Sequence, residues 1–205
     1  MATCGSTGWS KSQHFRSKRN SLFANVTDEV IEANRAWLDE RYIEPGTGRF
    51  ILSHHSYVVR TSRWTAIVDT CCGNHKERPG APFWHRLNQP YLENMEALGV
   101  HPHEVDFVMC THLHVDHVGW NTQLVDGSWV PTFPRARYLM GRMEYEHWEK
   151  RAQAAPGTRD QPRFIRRSRS CPSLRQDRPS LSALITACLT IAKRPSASFP
   201  RPATP

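Results

Sequence analysis

The chain has 205 residues, enough for one ordinary domain, with 39% hydrophobic and 22% charged residues and a formal net charge of +8. Six cysteines in no framework or ribbon spacing exclude a disulfide-stapled scaffold and a zinc ribbon. No apolar segment follows Lys11, Arg16, Lys18 and Arg19, and the longest apolar stretch, residues 181–192, is too short for a bilayer. Neither a secretory leader nor a membrane span is expected, and free thiols fit a reducing, cytoplasmic setting.

Residues 1–24 are polar and are expected to form a mobile N-terminal segment. Thr27 suits the N-cap of a helix to about Arg41, with Asp28 and Glu29 in its first turn. Val30, Ala33 and Trp37 would form its apolar stripe, flanked by Leu38. Residues 50–61 and 64–69 read as two strands joined by a short turn. Residues 84–98 read as a helix with Pro90 as a candidate break and Gly99 at its end. A short apolar strand follows at residues 105–110, of the kind found in sheets covered on both faces. After it come a histidine-rich loop and a short helix. Gly127 and Ser128 suit a turn, residues 136–140 a strand and residues 142–151 a helix. Alternating strands and helices give an α/β class.

The histidine-rich loop is the strongest functional signal. It reads Thr111-His112-Leu113-His114-Val115-Asp116-His117-Val118-Gly119-Trp120-Asn121. Residues two apart in an extended segment point the same way, so His112 and His114 can aim two imidazoles at one metal. Asp116 and His117 are adjacent, point differently and can reach a second ion. Imidazole and carboxylate are ligands that zinc favours, at about 2.0–2.2 Å. Two such ions about 3.5–4 Å apart can share a water and lower its pKa. The preceding strand would place these ligands at a carboxyl edge, where open α/β sheets carry their sites. The competing reading is a set of surface or core histidines without metal.

This loop resembles the metal signature of the metallo-β-lactamase-fold hydrolases. A second match is Trp64-Thr65-Ala66-Ile67-Val68-Asp69-Thr70-Cys71-Cys72-Gly73-Asn74, similar to the family's strand that ends in an aspartate and a glycine-containing turn. The resemblance extends over about residues 46–148 and includes Lys76-Glu77-Arg78-Pro79. This stretch is similar to the branch that contains lactonase-like and organophosphate-hydrolase-like members. The resemblance implies a zinc-dependent hydrolase with a dinuclear site, acting on an ester, lactone or similar bond of a small-molecule substrate. His112, His114, Asp116 and His117 are the implied ligands, and Asp116 the residue taken as catalytic. Asp69 would lie beneath the loop and orient a ligand. The implied architecture is the N-terminal half of an αβ/βα sandwich.

The same resemblance implies further ligands beyond this loop: a third histidine, a bridging aspartate and a final histidine. The last histidine here is His147, and only Asp160 and Asp177 are acidic after Glu149. Composition changes at the same place. Residues 1–150 hold 16 Lys/Arg against 17 Asp/Glu, whereas residues 151–205 hold 11 against 2 and 8 of the 15 prolines. The domain boundaries are therefore set at 1–24, 25–150 and 151–205. The last segment reads as a disordered basic tail. A reading-frame change near residues 150–160 is the preferred origin, with a solvated extension and a nucleic-acid-binding arm as alternatives. The frame-change reading includes a catalytically inactive fragment that retains a partial metal site. Scattered arginines with almost no interleaved aromatics argue against nucleic acid as a partner.

Four further residues stay open. His54 and His55 either reach the site or divide into an inward and an exposed member. Trp120 is either a pocket wall or core. Cys71 either approaches the metals or is structural, with structure favoured.

Overall fold

A computed structural model of the chain describes residues 5–8, 13–18 and 22–154. The expected basic tail lies outside these residues, except that 151–154 continue a helix. Within the first 24 residues, where no element was expected, β1 (Gly5–Gly8) and β2 (Gln13–Ser17) are strands. β1 pairs with Tyr57–Arg60, and β2 with Phe50–His54, both antiparallel. Pairing with a partner edge overrides weak local propensity.

The main sheet is built from β1, β4 (Tyr57–Arg60), β5 (Thr65–Val68), β6 (Phe107–Met109) and β9 (Arg137–Leu139), in the order β1-β4-β5-β6-β9. β4 and β5 are antiparallel, while β5–β6 and β6–β9 are parallel. One row of partners, Val58, Ile67, Val108 and Tyr138, crosses four strands and is buried throughout. Met95, Val100, Val105, Leu113, Phe133 and Ala136 extend this core. Burial of such side chains contributes about 1.5–3 kcal/mol each.

The strand expected over residues 50–61 is two strands in two sheets. β3 (Phe50–His54) joins β2, and the chain turns at His55 and Ser56 before β4. Ser56 is buried and shares a 2.7 Å hydrogen bond with the Tyr91 hydroxyl, which fixes the turn. β7 (Thr122–Val125) and β8 (Ser128–Pro131) form a hairpin. Its two-residue loop is Asp126-Gly127, both at positive φ, the turn that matches strand twist.

The helices are shorter than the sequence suggests. Thr27 caps α1 through a 3.4 Å bond from the Val30 amide, but α1 covers only Asp28–Ala33. The Asn34 side chain donates to the Val30 carbonyl and accepts from the Trp37 indole, competing with further helical bonds. The expected stripe is not the buried face: Val30 and Trp37 are exposed and Ile31 is buried. Pro90 does not interrupt a helix; it is the N-cap of α2 (Tyr91–Ala97), preceded by a 3-10 turn at Pro82–Trp84. Gly99, at φ 67°, ends the helix as expected. α3 runs from Arg142 to Ala154. No helix among the described residues is long and apolar enough to cross a membrane.

The carboxyl ends of the parallel strands are fastened to each other. After β5, the Thr70 amide donates to His117 O at 2.8 Å. The Trp120 amide returns a bond to Thr70 O, and the Gly119 amide one to Cys71 O. Thr70 Oγ1 also donates to Asn121 Oδ1 at 2.9 Å. Gly73 and Gly119 make this contact possible. A Cβ on Gly119 would fall inside the Cys72 peptide, and one on Gly73 inside the Gly119 carbonyl. Gly119→Ala is therefore expected to destabilise the protein by about 1–3 kcal/mol through forced backbone separation. Gly80→Ala, with open space around it, should stay within about 0.5 kcal/mol of wild type. Thermal denaturation of both variants checks this contrast, and equal melting temperatures would contradict it.

Candidate metal centre

The loop after β6 is pinned by its apolar residues. Leu113 is 2% exposed and Val118 7%, while the four residues between them and His112 are only partly covered or exposed. The alternation places His112 and His114 on the same side of the backbone. Their rings lie 4.7 Å apart, edge to face. The His117 ring lies only 3.9 Å from that of His112. The structure thus gathers the three imidazoles into one group, where spacing alone suggested two divergent pairs.

Asp69 follows β5 and grips this loop. Its Oδ1 accepts from the Thr111 amide at 2.8 Å, and its Oδ2 from the Thr111 hydroxyl at 2.7 Å and from His117 Nδ1 at 2.8 Å. Asp69 has a left-handed φ of 57°, a conformation tolerated by aspartate that aims the carboxylate at the neighbouring loop. Burial pushes its carboxyl up, but the hydrogen bonds from His117 and Thr111 outweigh it and hold the group below its ordinary range.

Asp116 occupies the other side of His117. Its Oδ2 is 3.5 Å from His117 Nε2 and 3.2 Å from His54 Nε2. Burial again raises this carboxyl, and the bonds from His117 and His54 reverse the effect, holding it well below the carboxylate range. The same contacts, first from Asp116 and then from Asp69, push His117 up to about 9. Burial, followed by neighbouring His117 and His114, moves His112 downward and favours its neutral, ligating form.

Three contributors were not assigned by sequence. His54 turns inward to Asp116, with Trp84 edge-on at 5.9 Å, whereas His55 bonds Ser53 and packs on Tyr57. The His-His pair at a strand end was a signal, but it did not say which ring turns in. Arg78 is buried and donates to the carbonyls of Cys72, Trp84 and Val115, joining the Asp69 turn to the histidine loop. Glu144 reaches the Leu113 amide from α3. Trp120 is core: it is buried and stacks on Tyr91 at 5.0 Å. Cys71 is also structural in its surroundings, with Sγ 3.6 Å from Ser56 Oγ.

The donor chemistry of this group fits a divalent cation. It offers imidazoles together with carboxylates that their neighbours keep ionised. The ligand set is open, because among the described residues no three His, Cys, Asp or Glu side chains close around one point.

The chain belongs to the metallo-beta-lactamase superfamily: the model of that family matches residues 50–171, more than half its length. Solved structures share the fold. A probable metal-dependent hydrolase from Staphylococcus aureus aligns with a TM-score of 0.54 and 16% identity, over 73% of this chain and 50% of its own. The hydrolase AbOPH of the beta lactamase superfamily aligns with a TM-score of 0.52 and 21% identity, over 92% and 56%. AidC, a dizinc quorum-quenching lactonase, aligns with a TM-score of 0.50 and 15% identity, over 72% and 44%. The chain spans about half the length of these structures. No protein of curated function matches it. The fold is therefore a partial metallo-beta-lactamase fold of mixed α/β class.

Three cysteines behind the site are buried and free. Burial pushes Cys71 up to about 11 and Cys110 up to about 12, and moves Cys72 upward as well. Protonated, buried thiols react slowly. Iodoacetamide at pH 8 should leave these three unmodified in the folded protein and label them in denaturant, as read by peptide mass spectrometry. Rapid native labelling of Cys71 would show that the turn after β5 is open.

Proposed function

We propose that this chain contributes to a zinc-dependent hydrolase site that acts on an ester, lactone or similar bond of a small molecule. The observation that carries this reading is Asp69 holding both ends of the histidine loop at the carboxyl edge of parallel strands. His112 and His114 would serve one ion, and Asp116 and His117 a second. Asp69 would orient His117 through Nδ1, leaving Nε2 for the ion. Zinc bound there supplies Lewis acidity and lowers the pKa of water.

The chain's own groups define the remaining chemistry. Asp116 is the catalytic residue in this reading. Its Oδ2, 3.2 Å from His54 Nε2, stays ionised and would orient an attacking water by accepting its hydrogen bond. Trp84, held by Arg78, walls one side of His54 and limits water there. The fold shared with a dizinc lactonase supports the choice of lactones and esters as first substrates. The buried free thiols support a reducing compartment such as the cytoplasm.

A second reading is favoured by the open ligand set: a chain that holds metal without turning over substrate. Metal analysis of the purified full chain, together with lactone and aryl-ester assays, separates the two. The hydrolase reading predicts close to two zinc ions per chain and turnover that falls by at least about 100-fold in His114→Ala. Zinc without turnover selects the second reading. A chain that takes up no zinc contradicts both.

A further inference from the structure

We propose that Glu144 is a positioning residue for the histidine loop, an inference that rests on the metal-site reading above. It lies in the first turn of α3, outside the loop and outside the implied ligand set. Its Oε1 accepts two hydrogen bonds at once. One comes from the Leu113 backbone amide at 2.9 Å, and the other from the Trp148 indole Nε1 at 2.7 Å.

Both bonds bear on the two histidines. Leu113 is the residue between His112 and His114, and it is almost fully buried. Glu144 covers this amide from the solvent side, so truncating it exchanges a fixed, charge-assisted acceptor for mobile water. Trp148 is four residues along the same helix face, where side chains meet. Its indole packs edge-on against the His114 ring, with centroids 5.7 Å apart. One carboxylate oxygen therefore fixes the backbone from which both imidazoles project and the wall against which one of them rests.

The fold places Glu144 there by the same logic that places Asp69. The Cys110 amide donates to Leu139 O at 2.8 Å, holding the end of β6 beside the end of β9. α3 begins three residues after β9, so its first turn opens beside the loop. A carboxylate is also favoured at a helix N-terminus. The Leu113 bond is charge-assisted and hence stronger than one between neutral groups.

Cobalt(II) titration of the full chain tests this assignment without an assay of turnover, with affinity read by chelator competition and geometry by the visible absorption of the bound ion. Glu144→Gln keeps an oxygen at Oε1 and should bind within about threefold of wild type. Glu144→Ala should bind at least about tenfold more weakly, with an altered cobalt spectrum, as for loss of an outer partner of a ligand. Glu144→Asp, whose carboxylate stops short of Leu113 while keeping its charge, should behave like Glu144→Ala and decides the matter if that variant fails to fold. Wild-type affinity and spectrum in folded Glu144→Ala or Glu144→Asp would overturn the positioning role while leaving the metal site intact. A wild-type chain that binds no cobalt would overturn the metal-site reading itself, and this inference with it.

Discussion

The Asp69 carboxylate is the contact on which the rest of the site depends. It sits one residue past β5 and accepts from three donors, two at the start of the histidine loop and one at its end. A single ionised group thereby closes the loop into a defined arc. Hydrogen bonds to a charged acceptor contribute about 1.5–3 kcal/mol each, and the Asp69 side chain that accepts them is largely covered. The backbone repeats the tie, since the Asp69 amide itself donates to Met109 O at 2.8 Å. The arc cannot move without moving the ends of two central strands.

That constraint explains why three parallel strands matter. β5 delivers Asp69, β6 delivers the loop, and β9 delivers α3 with Glu144 and Trp148. Each contribution lies at a carboxyl end, the edge where sheets of this type gather function. Arg78 adds a fourth tie by donating to carbonyls of the Asp69 turn, the Trp84 turn and the loop. A buried guanidinium whose two terminal nitrogens donate to three carbonyls acts as a rigid spacer. The site is therefore a set of candidate ligands on fixed supports, the arrangement that preorganisation requires.

Much of this was legible in the chain. The alternation His112-Leu113-His114 states which residues are buried and which are presented. The run Thr65-Ala66-Ile67-Val68 ending in Asp69 marks a covered strand that delivers an acid. Gly99 declares its turn, whereas the hairpin turn expected at Gly127 and Ser128 lies one residue earlier, at Asp126-Gly127, with Ser128 already paired in β8. Other features were hidden because they depend on distant partners. The residues around Val30 and Trp37 have helical spacing, but Asn34 competes for the backbone and ends the helix. Residues 50–61 look like one strand, but Ser56 is claimed by Tyr91 and the chain changes sheet. His54 beside Asp116 and Glu144 under Leu113 are contacts across many residues, and His117 meets His112 only through the path of the folded loop. Nothing in local periodicity encodes them.

The most direct measurement is a crystal structure of the full chain soaked in zinc, with anomalous data collected at the zinc edge. Our account predicts anomalous density bonded at about 2.0–2.2 Å to His112 and His114, with Asp69 still hydrogen-bonded to Thr111 and His117. Density confined to other residues, or none at a loop that keeps this conformation, would contradict it.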